Sequence, residues 1–198
     1  MTAQTPERII MGGRPYAVYA EPLYRLLASC RMDLCEYGNG YSTDCYRGYC
    51  GTWEIIDRVL HLVHLNLICP YEEPISNELR TKLLRVTSCT DFPIPAHWFN
   101  GRLRIATGRR LVYSHQGWSH WFERERVITF AAGKVKRDRE VDTQAMLERY
   151  LRRNPEVRGV LDGTANRRPA GPLIWFDDKY KDWTADWWPR DYVRKPLP

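Results

Sequence analysis

The sequence predicts a mainly β (α+β) fold: an antiparallel meander, a sandwich or an open barrel, with two or three accessory helices. Three observations predict it. Between 98 and 141, Gly101-Arg102-Leu103-Arg104-Ile105-Ala106 alternates basic and apolar side chains, the period of a half-buried strand. Thr107-Gly108-Arg109, Gln116-Gly117 and Ala132-Gly133 then interrupt the apolar and aromatic runs as turns do. Finally, 198 residues that are 43% hydrophobic and 13% aromatic supply a real core rather than a disordered chain.

The elements follow in order. Arg8 to Met11, the Gly12-Gly13 turn and Pro15 to Ala20 read as an opening hairpin, since β-branched and aromatic residues flank two glycines. Pro22 suits the first turn of a short helix running through Leu27. Residues 36 to 44 are turn-rich. Tyr46 to Ile56 and Val59 to Ile68 make a second strand pair, bent at Asp57-Arg58. A short helix over Asn77 to Val86 lies between proline-bounded loops. The meander follows, with Leu111-Val112-Tyr113 and Trp121 to Phe130 as later strands. Asp142-Thr143-Gln144 caps a helix reaching Arg153, which Asn154-Pro155 ends.

Residues 1–155 thus make one β-rich globular domain. From 156 the composition turns to Gly, Asn, Arg and Pro, the signature of a linker. The extension to 198 carries Trp175, Phe176, Tyr180, Trp183, Trp187, Trp188 and Tyr192, aromatics that pack back on the domain or on a partner. No apolar run reaches the ~20 residues of a membrane span. Met1 to Arg8 lacks the apolar stretch of a secretory signal, so the expected location is cytoplasmic.

Lys and Arg number 30 against 24 Asp and Glu, a net charge of +6. That balance favours anionic partners: nucleic acid, a nucleotide or an acidic protein face. The basic residues gather at Arg102, Arg104, Arg109 and Arg110, at Lys134, Lys136, Arg137 and Arg139, and at Arg149, Arg152 and Arg153; acidic residues interleave with the later groups. Oligomeric state stays open.

Cys30, Cys35, Cys45 and Cys50 form two C-x4-C pairs. Four soft ligands on short loops can converge on zinc, and this spacing permits it. Buried thiols without metal are the simpler reading, and no other cofactor is expected. His61 and His64 lie three apart in a predicted strand, hence on opposite faces, which argues against a shared metal.

Three stretches carry a resemblance: Tyr46-Arg47-Gly48-Tyr49-Cys50-Gly51-Thr52-Trp53-Glu54-Ile55, Ala96-His97-Trp98-Phe99-Asn100-Gly101-Arg102-Leu103-Arg104-Ile105, and Leu111-Val112-Tyr113-Ser114-His115-Gln116-Gly117 with Phe122-Glu123-Arg124-Glu125. Over residues 9 to 135 the chain resembles a widespread family of uncharacterised bacterial proteins with similar strand, hairpin and turn motifs. The resemblance implies a bacterial or phage origin and a β-rich core, and carries no activity with it. Trp118-Ser119-His120 stands where that family tends to have smaller or tyrosine residues.

The most site-like group is Tyr113, His115, His120, Glu123 and Glu125 around one turn. On a strand Glu123 and Glu125 share a face, and a histidine opposite them, with a pKa near neutrality, can act as a general base. Cross-strand pairing of both glutamates with Arg or Lys is the structural alternative. Glu123-Arg124-Glu125 is also similar to the Glu-x-Glu of arginine-type ADP-ribosyltransferases, with Ser42-Thr43 and Arg14 as partners. Aromatics near arginines, chiefly Trp98, Tyr113 and Trp118 with Arg102 and Arg104, provide stacking platforms for an anionic ligand, or else an aromatic girdle for the core. The leading expectation is a non-enzymatic binding protein, an inhibitor or accessory factor engaging a protein partner or a nucleic-acid-handling complex. The alternative is a small transferase or hydrolase using His115 with Glu123 or Glu125.

Overall fold

A computed structural model describes residues 3–37, 42–68, 72–112, 118, 120–155 and 158, without the side chains of 68 and 72. In chain order the elements are β1 (Glu7–Met11), β2 (Arg14–Val18), α1 (Tyr24–Ser29), a 3-10 turn (Leu34–Tyr37), β3 (Tyr49–Ile56), β4 (Val59–Ile68), β5 (Glu72–Pro74), α2 (Asn77–Thr87), β6 (Ile94–Pro95), β7 (Gly101–Ala106), β8 (Arg110–Val112), β9 (Trp121–Phe122), β10 (Arg124–Ala131), β11 (Lys134–Asp142) and α3 (Thr143–Arg153). The β-rich fold with accessory helices is therefore present.

The strands run β11-β10-β7-β2-β1-β3-β4 and return to the start where Lys134 of β11 faces Val59 of β4, closing a barrel of seven strands. β5 and β6 add to β4. The β1–β3 pair is parallel, with Ile9 opposite Trp53. Tight turns drive the hairpins. Gly12 and Gly13 both take positive φ (56° and 75°), the geometry of a two-residue turn whose twist matches the strands. Asp57 and Arg58 adopt the same left-handed region without glycine, at φ 49° and 63°.

Residues opposed across neighbouring strands point to one side, so the register sorts the barrel interior. Leu62, Trp53 and Ile9 form one row, Val18 and Ile105 another, Leu103 and Ile128 a third. All are 0% exposed, and they make the main core with Leu79 and Leu83 of α2. The Ser76 hydroxyl caps α2 by accepting from Leu79 N–H at 3.2 Å, and Asp142 caps α3 by accepting from Ala145 N–H at 3.0 Å.

The region from 98 to 141 departs from a simple meander. β7 pairs with β10, while β8 pairs with β9 in a separate two-stranded sheet. The stretch from Trp121 to Phe130 accordingly breaks at Glu123. This small sheet packs Trp121, Leu111 and Val112 against Leu147, Met146 and Leu151 of α3, a second apolar cluster outside the barrel. The linker and aromatic extension expected over 156–198 lie outside the described residues, except for Arg158. Among the described residues no helix is long and apolar enough to cross a membrane.

Candidate functional site

Tyr113 and His115 lie outside the described residues. Glu123 and Glu125 are engaged by different arginines. Glu123, between β9 and β10, accepts from Arg109 Nε at 3.0 Å and from the Arg109 backbone N–H at 3.2 Å. Glu125 is 1% exposed and bonds Arg104 in a bidentate pair, Nε at 2.8 Å and Nη2 at 2.5 Å. Burial alone would lower the Arg104 pKa, but the Glu125 charge outweighs it and holds the guanidinium above its ordinary value. Both carboxylates thus take the cross-strand role. Ser42 bonds Asp44, and Arg14 opposite Met11 flanks the β1–β2 turn; among the described residues no bond links either to Glu123.

Trp98 is half-buried against the core and donates Nε1–H to the Pro22 carbonyl at 2.9 Å. Trp118 lies against the Arg47 guanidinium, which is 5.5 Å from the ring centroid. His61 and His64 require a correction. The β3–β4 register skips Val63, so His61 faces Glu54 and His64 faces Thr52, and this bulge brings both histidines to the same outer face. Among the described residues no three His, Cys, Asp or Glu side chains converge on a metal-sized site. Cys45 and Cys50 are buried against the carbonyls of Tyr49 and Pro6 at 3.4 and 3.5 Å, Cys35 against that of Tyr46 at 3.6 Å, and Cys30 is exposed at the end of α1. Burial and the Asp33 charge push the Cys35 thiol up to about 12, and burial raises Cys45.

The chain builds two polar arrangements that its sequence pattern hides. The first is a buried centre where β1 and β3 begin. Gln4 bridges the segments, donating to the Thr43 carbonyl at 3.1 Å and accepting from Tyr46 N–H at 3.0 Å. Gly48, at φ +71°, then turns the chain into β3 in a space where a Cβ would sit 2.7 Å from Cys35 Sγ. Arg47 is thereby directed inward, its side chain 4% exposed, with Nη2 donating to the Thr5 carbonyl at 2.8 Å. Its guanidinium lies 5.4 Å from the Tyr49 ring and 5.5 Å from the Trp118 ring, within cation–π range.

Glu7 is 0% exposed, on the inward side of β1 with Ile9. Trp53 Nε1–H donates to one carboxyl oxygen; Arg47 Nε lies 3.5 Å from the other. Burial pushes the Glu7 carboxyl up to about 8, beyond what Arg47 and the Trp53 bond can offset. Burial also raises Glu21, just beyond β2, against the pull of Arg47, and puts the Tyr49 phenol well above its ordinary value. Glu7 Oε1, Arg47 Nε and Nη1, and Tyr49 Oη have no hydrogen-bond partner among the described residues. Each such buried group costs about 1–3 kcal/mol. One sequence signal could have found this centre: Glu7 shares the inward parity of Ile9 and Met11 in an otherwise apolar set.

The second arrangement is the outer face of β7, β10 and β11. The registers place Arg102, Thr129 and Arg137 in one row and Arg104, Val127 and Arg139 in the next. Arg137-Asp138-Arg139-Glu140 looks mixed in sequence, yet a strand's period of two sorts it. The arginines take the outer face. The acids take the other, where Asp138 bonds Arg126 at 2.8 and 2.6 Å and Glu140 pairs with Arg124 at 3.5 Å. Partial burial and the positive charges of Arg137 and Arg102 hold Arg139 below its ordinary pKa. No family model, curated protein or solved structure matches this chain.

Proposed function

We propose that this is a cytoplasmic, non-enzymatic binding protein, an inhibitor or accessory factor that engages a nucleic-acid-handling complex through the outer face of β7, β10 and β11. One observation carries the reading. Arg102, Arg137 and Arg139 gather on a single sheet face, where partial burial first, and then the charges of Arg137 and Arg102, lower the pKa of Arg139. With strands ~4.8 Å apart, Arg102 and Arg137 stand ~10 Å apart across β10. Spaced guanidiniums of this kind suit the repeated charges of a phosphate backbone, to which arginine bonds bidentately. The engagement of Glu123 by Arg109 and of Glu125 by Arg104 favours this reading over an enzyme built on those carboxylates.

Fluorescence anisotropy with a labelled oligonucleotide over a salt series tests it. Binding should weaken steeply as salt rises. Arg137→Glu with Arg139→Glu should lower affinity at every salt concentration and reduce the slope of log K against log salt by about 2. Equal binding by the charge-reversed protein, or none by the natural one at low salt, would overturn the reading.

A further inference from the structure

The buried centre around Arg47 carries an inference independent of the sheet face. Interiors pair roughly 90% or more of their buried polar groups, and each exception asks for an explanation. Here several exceptions meet in one place. Arg47 Nη1 and the Tyr49 hydroxyl, on side chains almost wholly buried, have no acceptor among the described residues. The guanidinium is already positioned, with Nη2 held by the Thr5 carbonyl and the rings of Tyr49 and Trp118 beside it.

The nearest carboxylate is loosely matched as well. Glu7 lies 3.5 Å from Arg47 Nε without a hydrogen bond to it, and burial biases its carboxyl toward the neutral form. The other acidic group within range, Glu21, is also raised by burial. Open donors around a fixed positive charge call for an acceptor that is itself negative. A neutral amide would satisfy fewer of them, and a cation would meet the guanidinium's repulsion.

We propose that the Arg47 centre is a binding site for the carboxylate or phosphate group of a small molecule, which accepts from Arg47 Nη1 and Tyr49 Oη beside the Trp118 ring.

The test is thermal melting of the full chain at pH 7 with inorganic phosphate, acetate or chloride at matched ionic strength. Phosphate or acetate should raise the melting temperature saturably, where chloride does not. A response to phosphate alone marks a phosphoryl ligand, and to acetate alone a carboxylate. Arg47 also ties down Thr5, so its replacement risks the fold; Tyr49→Phe keeps the ring and removes only the hydroxyl. That variant should weaken the oxyanion response about five-fold, the worth of one hydrogen bond. It leaves the arginine sheet face intact, so any difference from the natural protein belongs to the Arg47 centre. The proposal falls if phosphate and acetate do no more than chloride. It falls equally if Tyr49→Phe responds as the natural chain does.

Discussion

Among the described residues, Arg47 and Arg104 are both largely enclosed, and the fold treats them differently. Arg104 on β7 meets Glu125 in a fork of two hydrogen bonds, the side chains 12% and 2% exposed. Arg47, just before β3, reaches Glu7 only at 3.5 Å and leaves Nε and Nη1 without partners among the described residues. A buried ion pair repays its desolvation only when geometry closes and the remaining donors are met. The Arg104 pair comes close to that standard; the Arg47 pair does not. The first has little left to give a ligand, and the second keeps donors in reserve.

The sharpest way to break this comparison is to open the closed pair. Glu125→Ala leaves the Arg104 guanidinium buried without its counter-charge, and should destabilise the fold by about 3–5 kcal/mol in urea unfolding. Replacing both residues with apolar ones of similar volume should restore most of that loss. A loss below about 1 kcal/mol for Glu125→Ala would mean that water reaches Arg104, and the contrast with Arg47 would collapse.

The open pair should instead show itself through pH. The Glu7 carboxyl titrates near 4.5 in the unfolded chain and is pushed up to about 8 by burial in the folded one. Between these values the native state holds a proton that the unfolded state has released. Stability therefore falls as pH rises from 4.5 toward 8, by up to a few kcal/mol, and levels off above. The raised Glu21 adds to the same trend. Glu7→Gln stays neutral throughout and should flatten most of the slope, with little change at pH 5. An unaltered pH profile in that variant would place the proton elsewhere.

Much of the scaffold was legible because its signals are local. The β1–β2 and β3–β4 hairpins follow from Gly12-Gly13 and Asp57-Arg58, and α2 and α3 from Ser76, Asp142 and their apolar spacing. What escaped was non-local. The parallel β1–β3 pair and the closure of β11 on β4 join distant segments, and the skipped Val63 turns His64 without any mark in the sequence. The interleaved charges of β11 conceal a one-sign face until the strand period is applied to Arg137 and Arg139. The Arg47 centre draws on Thr5, Glu7, Glu21, Tyr49, Trp53 and Trp118, and no motif spacing spans them.

A smaller effect would sharpen the comparison at its tightest point. Gly51 on β3 leaves room for the Glu7–Trp53 contact: a Cβ there would lie 2.6 Å from Glu7 Oε2 and 2.8 Å from Trp53 Nε1. Both partners are fully buried, so neither can swing away into solvent. Gly51→Ala should therefore destabilise by about 1–3 kcal/mol, the usual consequence of overpacking. Its diagnostic value lies in combination. If the collision breaks the Trp53 bond to Glu7, the carboxyl loses the hydrogen bond that lowers its pKa and titrates higher still, moving the upper end of the pH-dependent window above 8. A Gly51→Ala protein that melts like the natural one, with the window unmoved, would mean that the Glu7–Trp53 contact is looser than this packing requires.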